Sequence, residues 1–314
     1  MQQRQHESLG TPWSHRGQAH TLAMDGLEPG SAPMRIIVTG GSGKAGRWVV
    51  KHLREAGHSV LNVDWTHDGS QHGRCLVADL TDPGQCYDAL AGAGAVVHLA
   101  AIPAPEVRPA AETFRINMIS TYNVFAAAEA HQLARVVYAS SETILGLPFD
   151  DPPAFAPIDE THPPRPESSY ALAKLAGETI AAQFARRSGT PHVGLRISNI
   201  MEPPDYQAFP GYWDDARLRR WNLWGYVDAR DVALACELAL TADVQGHEIA
   251  IVAAADTVMT RDSASLMAEV YPSVRLSREL RGRETLLSIE RAREMLGYEP
   301  RFSWTDEVAG PLGA

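Results

Sequence analysis

The sequence predicts an α/β fold, a parallel sheet doubly wound with helices, and three observations carry that prediction. Short apolar, β-branched runs alternate with longer amphipathic runs along most of the chain, the order that places parallel strands between layers of helices. The first apolar run, Ile36-Ile37-Val38-Thr39, breaks into glycines spaced G-x-x-G-x-x-G at Gly40, Gly43 and Gly46. The second, Val60-Leu61-Asn62-Val63, ends in an acid, Asp64, at about the 20-residue separation found between the phosphate and ribose contacts of a dinucleotide-binding turn.

Taken in order, residues 1–33 are rich in Gln, His, Gly, Ser and Pro without a helical or strand period. They are expected to be a disordered, dispensable leader, with Met34 standing just before the first strand. In the glycine turn, backbone must pass close to a pyrophosphate. Gly40 and Gly43 keep Cβ atoms out of that approach, and Gly46 lets the helix over Arg47–Ala56 pack on the sheet. Ser42 and Lys44 share the turn, and the helix N-terminus turns unpaired N–H groups and a positive dipole end toward the phosphates. Alone, such a pattern also fits a ligand-free turn; the strand before it, the helix after it and Asp64 favour the dinucleotide. A carboxylate at Asp64 accepts hydrogen bonds from ribose hydroxyls and repels a 2′-phosphate, which favours NAD over NADP. The competing detail is the nearby basic set Lys44, Arg47, His67 and Arg74, which would serve NADP.

Leu76-Val77-Ala78-Asp79 reads as the third strand, Ala95-Val96-Val97-His98-Leu99 as the fourth, Arg135 to Ser140 as the fifth and His192 to Ile197 as the sixth. Helices are expected over Thr113–His131 and Tyr170–Arg187, with a loop over the Pro-rich stretch Pro148–Pro166. The expected domains are a dinucleotide-binding domain over 34–240, with a lid at 200–225, and a small substrate-binding lobe over 241–314.

A formal net charge of −10 excludes the basic footprint of a nucleic-acid binder or an anionic-membrane surface protein. No apolar stretch reaches the length of a membrane span. Cys75, Cys86 and Cys236 are widely spaced and odd in number, so neither a disulfide framework nor a metal site is expected, and the compartment reads as reducing cytoplasm.

These residues resemble the extended short-chain dehydrogenase/reductases, the NAD-dependent epimerase/dehydratase family, from Met34 to about Ala239. The stretch Thr39 to Gly46, then Asp64, Asp79-Leu80, His98-Leu99-Ala100-Ala101, Asn117, Ser140-Ser141, Tyr170-x-x-x-Lys174 and Tyr226 to Ala233 follow in the family's order. The resemblance implies a Rossmann-type sheet, with Asp79 and Leu80 near the adenine and Leu99, Ala100 and Ala101 forming a small-residue wall against the cofactor. It implies that Lys174 holds the nicotinamide ribose and that Asn117 supports a water-linked proton route to the lysine; a local hydrogen bond is the other reading of Asn117. His98 reads as a strand-end residue and not as a base.

The chemistry can also be argued from the residues. Tyr170 and Lys174 are four apart, hence on one helix face, where an ammonium is expected to lower the phenol from its usual pKa of about 10. Tyr170 is then the acid/base, and Ser141 holds the substrate oxygen beside it. By itself such a pair is common on ordinary helices; the context selects the catalytic reading. Asp228 and Asp231 read as structural, capping a helix N-terminus.

Two departures from the family narrow the reaction. Its 4,6-dehydratases carry Thr-Asp-Glu where Ser141-Glu142-Thr143 stands here, so one of the two acids for water elimination is missing, and Leu145-Gly146 replaces the usual Tyr-Gly. The insert between Asn199 and Tyr226 is short for gripping a nucleotide diphosphate. It is rich in aromatics (Tyr206, Phe209, Tyr212, Trp213, Trp221, Trp224) and arginines (Arg217, Arg219, Arg220). That composition fits a lid that stacks on a sugar and pairs with a carboxylate, or a mini-core with a solvated basic edge. Candidate substrate contacts are Glu142, Asn199, Arg217 and Trp221. The stretch from Arg196-Ile197 to Pro203-Pro204-Asp205-Tyr206 also resembles uronate dehydrogenases, compact members acting on free sugar acids.

The expected function is an NAD-dependent oxidoreductase acting on a hydroxyl or carbonyl of a sugar-like or sugar-acid molecule, as a homodimer. The alternatives are an epimerase that retains its NAD, and a non-catalytic dinucleotide sensor, against which the intact Tyr170 and Lys174 speak.

Overall fold

The structure, a computed structural model, describes residues 33–66 and 73–308. The expected leader lies outside them apart from Pro33, as does His67. Down the chain the strands are β1 (Arg35–Thr39), β2 (Ser59–Asp64), β3 (Cys75–Val77), β4 (Ala95–His98), β5 (Arg135–Ser141), β6 (Phe155–Ala156), β7 (His192–Ile197), β8 (Ile200–Met201), β9 (Val227–Asp228), β10 (His247–Val252) and β11 (Arg275–Leu276). Seven form one parallel sheet in the order β3-β2-β1-β4-β5-β7-β10, while β6 pairs with β11 and β8 with β9. The helices are α1 (Gly46–Glu55), α2 (Pro83–Leu90), α3 (Ala110–Ala130), α4 (Ser169–Ser188), α5 (Ala229–Thr241), α6 (Ser263–Val270) and α7 (Glu290–Leu296).

Alternate residues of β1 enter opposite cores. Ile36 and Val38 join Val49 and Leu53 of α1 and Val232 of α5, whereas Ile37 joins Val124 and Phe125 of α3. Burial on both faces is why the central strands read as unbroken apolar runs, and each fully buried side chain of this size contributes about 1.5–3 kcal/mol. The order of strands reverses between β1 and β4, whose ends meet at Thr39 and His98. The crevice beyond the carboxyl ends at such a reversal is where open α/β sheets bind ligands.

The boundary expected at residue 240 is displaced. Strand β10, assigned by that boundary to the small lobe, pairs with β7 along its whole length and completes the main sheet. Helix α6 packs on the 3₁₀ segment Ala216–Asn222 of the insert. Asp228 caps α5 as expected, accepting from the Arg230 N–H at 2.7 Å. Asp231 does not cap; it accepts from the backbone N–H groups of Arg301 at 2.9 Å and Phe302 at 3.1 Å, fastening the C-terminal segment to α5. No helix among the described residues is long and apolar enough to cross a membrane. Among the same residues no cluster of three or more His, Cys, Asp or Glu side chains could hold a metal ion.

Candidate active site

The glycine turn is built by close backbone approach. Gly40 has a φ of +71°, and a Cβ there would stand 2.6 Å from the Ala100 nitrogen; a Cβ on Gly46 would stand 2.0 Å from the Gly40 carbonyl oxygen. Gly40 and Gly46 are therefore needed to bring β1, the turn and the start of α1 together, while a Cβ on Gly43 would meet the Gly40 oxygen at 3.2 Å. Helix α1 begins without a side-chain cap, its first N–H groups bonding to the carbonyls of Gly43 and Ala45 in the turn. The Ser42 N–H donates to Asp64 Oδ2 at 3.0 Å, which draws the carboxylate at the end of β2 to the rim of the turn.

Beyond Asp64 lies a cavity of about 400 Å³ lined by Trp65, Val77, Asp79, Gln85 and Arg115 among others. Asp79 is fixed by Thr81, whose N–H and hydroxyl both donate to Oδ1 at 2.8 Å. Leu80 is buried, and its carbonyl accepts from Asn123 at 3.0 Å. Leu99, Ala100 and Ala101 follow β4, where the Leu99 N–H donates to the Thr39 carbonyl at 3.0 Å. Lys44 and Arg47 are not available as free cations. Lys44 pairs with Asp205 at 2.5 Å, Arg47 grips both oxygens of Glu202, and the Trp48 indole donates to Glu202 at 2.5 Å.

At the other end of the crevice, β5 ends in Ser141 and α4 begins one residue before Tyr170, after the Ser168 cap, so both enter from rigid elements. The Tyr170 phenol is buried, and the Ser141 side chain is close enough to favour its ionised form. Burial first, and the charge of Glu142 after the opposing Ser141 contact, push the phenol up to about 12. The lowering expected from Lys174 does not appear, because burial dominates. The lysine amine lies 5.7 Å from the Tyr170 ring centroid and donates to the Ala139 carbonyl at 2.7 Å, while burial draws its own pKa down to about 8. His98 is held between Thr39 and Thr121 at 2.7 and 3.2 Å, and burial lowers it to about 3, which suits a structural residue.

The Asn117 amide clamps the Ile102 backbone from both sides, accepting at 2.7 Å and donating at 3.1 Å. Ser140, beside Ser141, donates to Glu178 at 2.5 Å, and Glu178 makes a buried bidentate pair with Arg196. Glu178 stands one turn beyond Lys174 on α4, so this pair ties α4 to β5 and β7 behind the site.

Glu142 and Asn199 are brought together. The Glu142 carboxylate accepts from Ser198 at 2.6 Å, from Asn222 at 3.2 Å and from the Asn199 backbone, with Arg219 charged nearby; burial nonetheless raises it to about 7. Arg217, the arginine singled out from the sequence, is exposed, whereas Arg219 is buried. The reason is the 3₁₀ period of three: Ala216, Arg219 and Asn222 share the inner face. That spacing is the signal that could have found Arg219 and Asn222. The Arg219 guanidinium also lies 4.8 Å from the Trp221 ring, so Trp221 lines this wall indirectly. Leu223 and Trp224 take left-handed φ of 53° and 57°, held by the Trp224 indole donating to the Ala216 carbonyl at 2.7 Å.

Most aromatics of the insert form a mini-core. Tyr206, Phe209, Trp224 and Tyr226 are fully buried, with Tyr206 bonded to Asp228 and Tyr226 to Asp256 at 2.7 Å. Because all four rings are buried, they offer no stacking surface to a ligand.

Residues 36–253 match the NAD dependent epimerase/dehydratase family. L-arabinose 1-dehydrogenase (NAD(P)(+)) of Haloferax volcanii is 32% identical over 176 residues, covering 53% of this chain and 67% of the relative. Uronate dehydrogenase of Pseudomonas syringae pv. tomato is 27% identical over 182 residues, covering 57% and 64%. The matched region thus spans about two thirds of these relatives. Among solved structures, a short-chain dehydrogenase/reductase superfamily protein from Agrobacterium tumefaciens with bound NAD has a TM-score of 0.69 at 25% identity, covering 86% of this chain and 94% of that one. The chain belongs to the NAD dependent epimerase/dehydratase family.

Proposed function

We propose that this protein is an NAD-dependent oxidoreductase acting on a hydroxyl or carbonyl of a sugar-like small molecule. The observation that carries the reading is the Ser141–Tyr170 pair, with Lys174 beside it, at the carboxyl end of the sheet that also bears the glycine turn. The residues present fit an adenine dinucleotide: the turn excludes Cβ atoms, α1 carries no side-chain cap, and Asp64 stands at the ribose position of the fingerprint. NAD is favoured over NADP because Asp64 is acidic and because Lys44 and Arg47 are already paired with Asp205 and Glu202.

Bound dinucleotide supplies the hydride donor or acceptor. Tyr170 gives a proton to a substrate carbonyl oxygen, or takes one from a hydroxyl, while Ser141 holds that oxygen in place. With its phenol raised to about 12, Tyr170 carries its proton and is suited to act as the acid of carbonyl reduction. A screen of free aldoses, uronates and nucleotide sugars with NAD, followed by NADH absorbance, tests the reading. Net NADH supports it, whereas sugar interconversion without NADH would favour an epimerase.

A homodimer belongs to the same proposal. Ile119 and Tyr122 of α3 and Leu172 of α4 remain exposed on helices that pack side by side, an apolar face suited to a second copy. Light scattering on the purified protein checks it, and a monomer at micromolar concentration would remove it.

A further inference from the structure

We propose that Glu178 is a positioning residue: pinned by Arg196, it holds Ser140 and so sets the placement of Ser141 against Tyr170. The inference rests on the oxidoreductase reading above and moves from the groups that would meet the substrate to the groups that fix them.

Tyr170, Lys174 and Glu178 are spaced four apart along α4 and share one helix face. Successive turns of that face meet the last three residues of β5. Tyr170 stands beside Ser141, the Lys174 amine donates to the Ala139 carbonyl at 2.7 Å, and Glu178 accepts from the Ser140 hydroxyl at 2.5 Å. Strand β7 closes the clamp. Arg196 is the register partner of Ser140, and its guanidinium donates from Nε to Glu178 Oε1 at 3.0 Å and from Nη2 to Oε2 at 2.9 Å. One carboxylate oxygen thus receives both Ser140 and Arg196, tying the end of β5 to α4 and β7 together.

Stability alone does not account for an ion pair at this depth. The Arg196 and Glu178 side chains are 7% and 6% exposed, and the desolvation that such burial requires can exceed the Coulombic gain, so apolar residues of similar volume would often serve the core as well. What apolar residues lack is direction. Three bonds on one carboxylate fix the Ser140 side chain, and the backbone fixed with it leads straight into Ser141. The bonds that Thr143 donates to the Ser141 hydroxyl, at 3.2 Å from its N–H and 3.0 Å from its own hydroxyl, stay within the turn after β5 and do not reach α4. The spacing between Ser141 and α4 is therefore inherited from the Lys174 and Glu178 contacts just before it. Lys174 is also the residue expected to hold the nicotinamide ribose, which leaves Glu178 as the tie that need not move when a dinucleotide binds.

The test uses Ser140→Ala and Glu178→Gln in the full chain, with Asp231→Asn as a control that loosens the buried attachment of the C-terminal segment to α5. Ser140→Ala leaves the Glu178–Arg196 pair whole. Its kcat should fall at least about tenfold, since a displacement of about 1 Å is enough for such a loss, while the dissociation constant of NAD stays within about twofold and the melting temperature within a few degrees. Glu178→Gln should lower both kcat and melting temperature, because Arg196 loses its counter-charge. Asp231→Asn should lower the melting temperature and leave kcat per folded molecule unchanged. A folded Ser140→Ala protein with wild-type kcat overturns the inference, as does a loss of NAD affinity as large as the loss of kcat. So does a crystal structure of Ser140→Ala in which Ser141 keeps its place against Tyr170. If no sugar yields NADH with the wild-type protein, the oxidoreductase reading fails, and that crystal structure still decides the placement of Ser141.

Discussion

The dinucleotide turn and the insert from Ser198 to Trp224 face the same crevice but are held by different parts of the chain. In the turn, shape comes from backbone: Gly40 and Gly46 stand where any Cβ would overlap a neighbouring main-chain atom. In the insert, shape comes from side chains, with Glu142, Ser198, Arg219 and Asn222 forming one buried polar cluster. A backbone-built site tolerates almost any residue except at its glycines. A site built from buried polar groups depends on every member, because removing one leaves another unsatisfied.

The sharpest test of that division is Tyr170→Phe, which keeps the ring and removes the oxygen. Turnover should fall by about 10²–10⁴-fold, while NAD affinity, measured by titration, stays within about twofold because the glycine turn is untouched. A parallel loss of NAD affinity would break the separation of the two regions.

Next in size is Gly46→Ala. Its Cβ would stand 2.0 Å from the Gly40 oxygen, so stability should drop by about 1–3 kcal/mol in denaturant titrations, and added NAD should raise the melting temperature less than it does for the wild type. An unchanged midpoint would mean that the turn is looser than its geometry says.

Cofactor choice is a smaller effect. Asp64 should make NAD bind at least about tenfold tighter than NADP, about 1.4 kcal/mol, and Asp64→Ser should narrow that gap. Equal affinities in the wild-type protein would return Arg74, or Lys44 and Arg47 released from their acids, to consideration as phosphate ligands.

The least effect should come from Arg217→Ala, within about 0.5 kcal/mol for both stability and KM because the side chain is exposed. Arg219→Ala, two residues on, should raise KM severalfold and lower stability, since it uncovers the buried Glu142 charge. Similar outcomes for the two arginines would show that burial does not separate their roles.

The same contrast explains what could be read from the sequence. The strands β1, β2, β4, β5 and β7, the glycine turn and Asp64 were legible because close backbone approach and two-sided burial each restrict residue type and leave a local pattern. Strand β10 was missed since it lies at the sheet edge and opens with His247-Glu248, which breaks the apolar run. Helix α2 went unread although Asp82 and Pro83 supply a cap and a proline at the first turn. The phenol of Tyr170 was misjudged because spacing on a helix reports a neighbour's charge but not burial, and burial dominates. Arg217 and Arg219 look alike in a string of basic residues; only the period of the 3₁₀ turn tells which faces inward.

The pairs of Lys44 with Asp205 and Arg47 with Glu202 join the two regions across the mouth of the crevice. An anion arriving at the turn meets cations whose charge belongs in part to the segment carrying Arg219 and Asn222. If these pairs couple the two sites, the factor that bound dinucleotide applies to substrate affinity is the factor that substrate applies to dinucleotide affinity, and Glu202 and Asp205 are the positions at which to measure it.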